Sequence, residues 1–489
     1  MQIKATPLIS AALLLASGAA LAEDTIPLNA VNKANEVIDA VLEVYGGAEA
    51  IANLNTVARK SHFTTWATNQ SLRPAPPWDE TETENWQAIN LDSEQFRSYN
   101  AGSGGGFDFE NGQLINGDEA YAFNYRAGTY NGIPAPDFNT ASGPLIRVTA
   151  PLLVKQLQDR RQTAHWLGEA DFEGRPHDIV TLVMEVGPGL SLYFDRETRL
   201  LTRAERVLPP FGQVDYRFRD YQTIDGIPFA ARLELFANDL PNLVAVRHET
   251  LVNPDFGPYL ALPEGLERIE TPPVQPTEVA LQELDEGVFL VGANGTYVLF
   301  VEMDDHVVSI GGTAGVPERI AALREVVADK PIRYGVLTHH HNDHLVAVPA
   351  YEAEGAEIFT VRAHEQVVRD TAENGEVLKL RFVDRKAVLE SGGRSIELHD
   401  IGPTPHTEHL VVAFLPESGL LFEADHFPNP GNGRFVPAQP VTRHLARAIT
   451  ERGLQVKTVV GAHTPWQASW EELMDSLALE PKRRLAESP

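Results

Sequence analysis

The densest chemistry in the chain is the run Thr338-His339-His340-His341-Asn342-Asp343-His344. Its His-x-His-x-Asp-His spacing follows a predicted strand, Ile332 to Leu337, and opens a predicted helix near His344 to Tyr351. Side chains alternate with period two in an extended segment, so His339 and His341 face the same way. Asp343 and His344, at the helix start, aim at a second point close by. Neutral imidazole suits zinc, and an aspartate adds a charged ligand that also accepts a proton. Two such points side by side make a two-metal site. A lone His-x-His reads as a surface histidine run; four donors at a strand-to-helix junction do not.

A metal pair needs more ligands, and sites in α/β folds collect at strand ends. Eleven of the 16 histidines lie between His339 and His463. His406 sits in the turn-rich loop Gly402-Pro403-Thr404-Pro405-His406-Thr407, before a predicted strand from Leu410 to Leu415. Asp425 ends the run Leu420-Leu421-Phe422-Glu423-Ala424, and His463 follows Val459-Val460-Gly461-Ala462. Taken in order after the cluster, these three complete a ligand list.

Two stretches of different grammar must position these residues. Val31, Ala34, Val37, Ile38, Val41, Leu42 and Tyr45 recur at helical spacing from Ile26 to about Ile51, with a stop at Gly46-Gly47. The chain then alternates apolar and polar residues, as in Ile179 to Val186, Leu190 to Phe194, Val214 to Phe218 and Arg232 to Phe236. Turn signals break it at Gly102 to Gly106, Asn111-Gly112, Asn116-Gly117 and Asp225-Gly226. This predicts a mainly antiparallel β domain with one face covered by an amphipathic helix. The Pro-rich segment Glu270 to Pro276 reads as a linker. Beyond it, strands at Val288 to Val291, Tyr297 to Glu302 and Val307 to Ile310 precede a helix from Pro317 to Val327. The alternation continues to Thr458-Val459-Val460 and a helix from Trp466 to Leu477, which is α/β patterning. The expected organisation is 1–22 leader, 23–270 β-rich domain, 271–277 linker and 278–489 α/β domain.

The ligand motifs, all five in order over about 278–489, resemble those of the metallo-β-lactamase superfamily. The resemblance implies an αβ/βα sandwich with the metal site at one edge of two stacked sheets. By that likeness His339, His341 and His406 correspond to the ligands of one metal. Asp343, His344 and His463 correspond to those of the other, and Asp425 to the bridging carboxylate. His340, Asn342, His409 and His426 match no ligand position, although His426 is placed to orient one. Two Zn²⁺ are implied, with Fe or Mn also compatible with His/Asp donors. Two zinc ions about 3.5–4 Å apart lower the pKa of a shared water toward ~7, so a bridging hydroxide attacks an acyl carbonyl. Asp343 is then placed to pass a proton to the leaving group.

Within the superfamily, one lactamase branch has Cys where this chain has Asp425; a carboxylate there is similar to the glyoxalase II and lactonase branches. Glyoxalase II carries a helical extension after its last ligand, and only 26 residues follow His463. The nuclease branch inserts a domain where only 18 residues separate His406 from Asp425. A lactone, ester or thioester hydrolase is therefore expected, with hydrolysis of β-lactam amides as the alternative. Loops at Asn294-Gly295, Gly311 to Val316 and Phe427 to Val436 would line the pocket, with Phe427, Arg434 and Phe435 as candidate contacts. The first domain resembles the curved-sheet lipoprotein-carrier fold of bacterial envelopes, in Gly189 to Asp195 and in Tyr216 to Tyr221 leading to Ile224-Asp225-Gly226-Ile227-Pro228. Its concave face either holds a greasy ligand, in which case the protein is an envelope binding module, or buries its neighbour's apolar face.

Composition narrows the partners. The 489 residues hold 40 Lys and Arg against 68 Asp and Glu, a net charge of −28, and no Cys. Disulfides, Fe–S clusters and thiolate nucleophiles are excluded, and so large a negative charge repels nucleic-acid backbones. A basic start through Lys4, the apolar run Ile9 to Ala16 and Ala20-Leu21-Ala22 before Glu23-Asp24 read as a secretory leader cleaved after Ala22. The expected protein is periplasmic or secreted, has no integral membrane segment and acts on a small-molecule acyl substrate.

Overall fold

The computed structural model describes residues 26–208, 212–327 and 329–482; the leader and its cleavage point lie outside them. Among the described residues no helix is long and apolar enough to cross a membrane.

The N-terminal part is one fourteen-stranded sheet. Helix α1 (Ile26–Val44) ends at Gly46 and Gly47, whose φ of 88° and 95° suit glycine, and a short α2 (Ala48–Ala52) follows. Strands β1 (Thr56–Trp66), β2 (Glu80–Asn90), β3 (Gln95–Gly104), β4 (Phe107–Asn116), β5 (Glu119–Asn124) and β6 (Thr129–Gly132) run outward as an antiparallel meander. On the other side of β1 lies Leu240–Val252, and strands then follow in descending chain order to Trp166–Phe172 at the far edge. Glu267–Arg268 adds a parallel pairing to β6.

One face of this sheet buries more helix than expected. Besides α1, helices α3 (Phe138–Arg147) and α4 (Ala150–Asp159) join the same core, with Val37, Ile38, Val41, Leu145, Leu153 and Leu157 beside Phe218, Phe229 and Leu233. Each such buried aliphatic contributes about 1.5–3 kcal/mol. Pro144 inside α3 and Pro151 at the start of α4 mask both helices in the sequence. Asn111-Gly112, expected as a turn, lies inside β4. Gly112 is needed there for close approach, since a Cβ would meet the Ser98 carbonyl oxygen at 2.4 Å. The expected strand Ile179 to Val186 stops at Leu182.

The C-terminal part stacks two sheets between helices. The first has seven strands in chain order from Ala280–Asp285 to Leu380–Phe382, antiparallel at the start and parallel from Val307–Ile310 onward. The second has six, from Lys386–Ser391 to Thr464–Ser469, with one parallel pair, Leu420–Glu423 beside Thr458–Gly461. Leu299, Val301 and Ile310 of one sheet pack against Ile396, Leu398 and Phe422 of the other. Alternate residues Val298 and Phe300 turn outward to Ile320, Leu323 and Tyr351, which explains the unbroken apolar runs. Leu445, Ile449 and Leu473 cover the second sheet. The expected helix from Trp466 is corrected: Thr464–Ser469 is a strand paired with Thr458–Gly461, and the helix is Trp470–Ser476. A capping box of Ser469 and Glu472 sets its start.

Candidate metal centre

The histidine run leaves the strand Ile332–Val336 as an extended segment and becomes a short helix at Asn342–Leu345. The Val411 N–H donates to the Thr338 carbonyl at 2.7 Å, which fixes this segment against the second sheet. Gly312 packs so closely beneath it that a Cβ would meet the His344 carbonyl oxygen at 1.8 Å. His406 lies before Val411–Leu415, Asp425 after Leu420–Glu423, and His463 in the turn after Thr458–Gly461. Asp425 takes a positive φ of 65°, an uncommon conformation for a residue with a side chain, and its carboxylate lies among the histidines.

The structure brings all seven residues named from the sequence into one cluster. His339, His341 and His406 form one trio of donors, and Asp343, His344 and His463 form another, each with ligand atoms within 4.8 Å of one another. Asp425 touches both. Its Oδ2 is 3.2 Å from His339 Nε2, 3.4 Å from His406 Nε2 and 3.0 Å from His344 Nε2, and its Oδ1 is 2.7 Å from His463 Nε2.

Four of the donor atoms face inward without a hydrogen-bond partner. His339 Nε2, His341 Nδ1, His406 Nε2 and Asp425 Oδ2 are buried and make no hydrogen bond beyond the contacts around Asp425 given above. Each such atom costs about 1–3 kcal/mol unless something satisfies it. Nitrogen and carboxylate donors converging on one point are what a divalent cation needs, so these residues fit the metals that the ligand pattern implies. Burial holds His339 well below the usual imidazole range in the metal-free chain and His341 at about 2. Burial alone would also lower His463, but the Asp425 carboxylate raises it to about 9. Burial works to raise Asp425, yet His344, His406 and His463 hold it well below the usual carboxylate range. Buried Glu423 accepts the His426 N–H at 2.7 Å, and burial pushes its carboxyl up to about 8.

The nitrogens that point away from the centre are also held. His463 Nδ1 donates to the Gly295 carbonyl at 2.9 Å, and Thr338 Oγ1 lies 3.2 Å from His339 Nδ1. Two others bond to loops of the N-terminal part: His341 Nε2 donates to the Ser71 carbonyl between β1 and β2 at 2.9 Å, and His406 Nδ1 to the Gly105 carbonyl between β3 and β4 at 2.7 Å. Each bond fixes the tautomer that leaves the inward nitrogen unprotonated. Gln70, in the loop between β1 and β2, donates its Nε2 to Asp343 Oδ1 at 2.7 Å and to Asn342 Oδ1 at 2.9 Å. Sequence reading missed Gln70, Ser71 and Gly105. Carbonyls carry no side-chain signal, and nothing in a glutamine 272 residues away marks it.

The remaining candidates fall into place around this core. His340 is buried with Nδ1 3.3 Å from Thr407 Oγ1, and His409 bonds Asp400 at 2.7 Å. His426 donates from its backbone to Glu423, and its ring centroid is 5.9 Å from that of His406. Phe427 stacks on Phe435 at 5.4 Å, whereas Arg434 pairs with Glu267 away from the cluster.

A family model described as metallo-beta-lactamase superfamily matches residues 310–477. The C-terminal sandwich is a metallo-β-lactamase superfamily domain. With its His/Asp cluster, this superfamily domain makes the chain a metal-dependent hydrolase. The matched residues include none of the fourteen-stranded sheet. Among solved structures, a metallo-beta-lactamase from Pontibacter korlensis is similar at 19% identity, covering 41% of this chain and 98% of its own, with a TM-score of 0.33. The FIM-1 metallo-beta-lactamase from Pseudomonas aeruginosa, in a mono-zinc form, is similar at 20% identity, covering 42% and 95%, with a TM-score of 0.32. No curated protein matches the chain.

Proposed function

We propose that the protein is an exported dinuclear zinc hydrolase that cleaves the acyl bond of a lactone, ester or thioester. The observation that carries this reading is the pair of donor trios sharing Asp425, with unpaired atoms facing inward. His339, His341 and His406 would hold one ion, Asp343, His344 and His463 the other, and Asp425 both. When bound, the ions supply Lewis acidity to an acyl carbonyl and acidify water toward a pKa of ~7.

The side chains do the rest. Hydrogen bonds on the outward nitrogens keep the imidazoles aimed at the cluster. Gln70 donates to Asp343 Oδ1 and so turns Oδ2, 3.4 Å from His344 Nε2, toward the cluster; the Asp343 carboxylate would take up a proton there and return it to the leaving group. Export rests on the leader pattern, with 23–270 and 278–489 as the mature units.

Metal analysis of the purified chain, with hydrolysis of lactones, aryl esters, thioesters and β-lactams, tests the proposal. About two zinc per chain with turnover of lactones or esters is expected. Iron would favour redox chemistry, an absence of metal would favour an envelope binding role, and turnover of β-lactams alone would move the substrate to amides.

A further inference from the structure

We infer that the N-terminal sheet forms the specificity wall of the hydrolytic site, selecting neutral substrates whose apolar alkyl or aryl group packs between Phe107 and Phe427. This inference rests on the hydrolase reading above and narrows its substrate class. A cavity of about 480 Å³ opens beside Asp425 and His463, a volume suited to a small molecule. Phe427, Pro428, Pro430 and Val436 line one part of it; Phe107 of β4 and Asn124 of β5 come from the N-terminal sheet. Among the described residues lining it two carboxyl groups occur, Glu423 and Asp425, and neither Lys nor Arg, so no guanidinium or ammonium there pairs with an anionic substrate group. A groove of about 920 Å³ does carry Arg333, Lys379 and Arg381, but none of the seven clustered residues lines it.

Phe107 is held in place on a docked hairpin. Gly106, with a φ of 84°, lies so close to the sandwich that a Cβ would meet Val441 at 2.4 Å. Gln439 bonds the Asp108 backbone twice, accepting its N–H at 2.9 Å and donating to its carbonyl at 3.0 Å. Arg126 Nη1 donates to the Pro437 carbonyl at 3.0 Å. The half-buried Phe107 ring stands edge-on to His406, centroids 5.6 Å apart, at the boundary between the donor cluster and the cavity. Asn124 spends its Oδ1 on the Ala127 N–H at 2.9 Å, which leaves its NH₂ to donate to a polar atom of the substrate.

The test compares wild type, Phe107→Ala, Phe107→Leu and Asn124→Ala, all zinc-loaded, on aryl esters from acetyl to hexanoyl, with calorimetric binding of the hydrolysis-resistant amide N-phenylhexanamide. In wild type, kcat/KM is expected to rise about threefold to fourfold per methylene. Phe107→Ala flattens that gradient and weakens amide binding at least roughly tenfold at unchanged zinc content, and Phe107→Leu restores most of both. A gradient and amide affinity that Phe107→Ala leaves at wild-type values would overturn the inference while the hydrolase reading stood. Phe107-dependent amide binding without ester turnover would support the wall and overturn the acyl-hydrolase reading. A wild type that neither turns over the esters nor binds the amide would overturn both.

Discussion

The two halves of the metal centre are held from different directions. In the His339, His341 and His406 trio, two of the three outward nitrogens bond to carbonyls in loops of the N-terminal part, at Ser71 and Gly105. In the Asp343, His344 and His463 trio, the histidines are held within the sandwich, His463 by Gly295 and His344 beside Thr338, and the N-terminal loops reach only Asp343, through Gln70. The superfamily domain supplies all seven donor residues, but part of their orientation comes from residues outside the family match. Loops of the N-terminal part therefore help to hold the donors in place.

The largest effect should come where the two halves meet. Asp425→Ala removes the carboxylate common to both trios; metal content should fall below one zinc per chain and turnover by roughly 10³-fold or more, since several kcal/mol of Lewis-acid stabilisation goes with it. Metal analysis beside a rate assay reads both, and two retained zinc would contradict the shared role. Next, Gly106→Val drives a side chain into Val441 and lifts the hairpin off His406. Chelator competition should then show one zinc bound about 10–100-fold more weakly and the other near its wild-type affinity. Equal weakening of both would dissolve the distinction between the halves.

Acid should also expose the asymmetry in metal-free protein. Burial holds His340 at about 4, His426 at about 3 and His341 at about 2, all below their unfolded values near 6.5. The unfolded chain then binds more protons, so stability from these groups is complete above about pH 6.5 and is lost as pH falls through those values, by about 1.4 kcal/mol per unit for each proton. His463 works the other way: its raised value of about 9 gives stability present below about 6.5 and lost as pH rises through 9. Urea midpoints should peak near pH 6.5, with the acid limb the steeper. The smallest effect is expected from Gln70→Ala, which removes one exposed bond to Asp343. It should lower kcat about twofold to tenfold, with KM less affected; a change confined to KM would place Gln70 in substrate binding instead.

How much could be read from the chain beforehand follows the kind of atom involved. Side-chain spacing carried His339 to His344 and the later donors, because metal ligands must be particular residue types at strand ends. The periodicity of α1 and its stop at Gly46-Gly47 were legible for the same reason. Helices α3 and α4 were hidden by Pro144 and Pro151, and Gly112 imitated a turn while serving close strand packing. The strand Thr464–Ser469 has too few residues for its alternation to stand out beside the helix that follows. Ser71 and Gly105 act through carbonyl oxygens, which every residue owns, and tertiary placement alone makes them special.

A two-metal hydrolytic site must gain its activity with its second ion. Stepwise zinc titration of metal-free, full-length protein, with acyl-ester hydrolysis followed at each point, tests it most directly. Hydrolysis should appear with zinc and reach its plateau at two equivalents per chain. Saturation at fewer than two equivalents, or hydrolysis independent of added zinc, would contradict it.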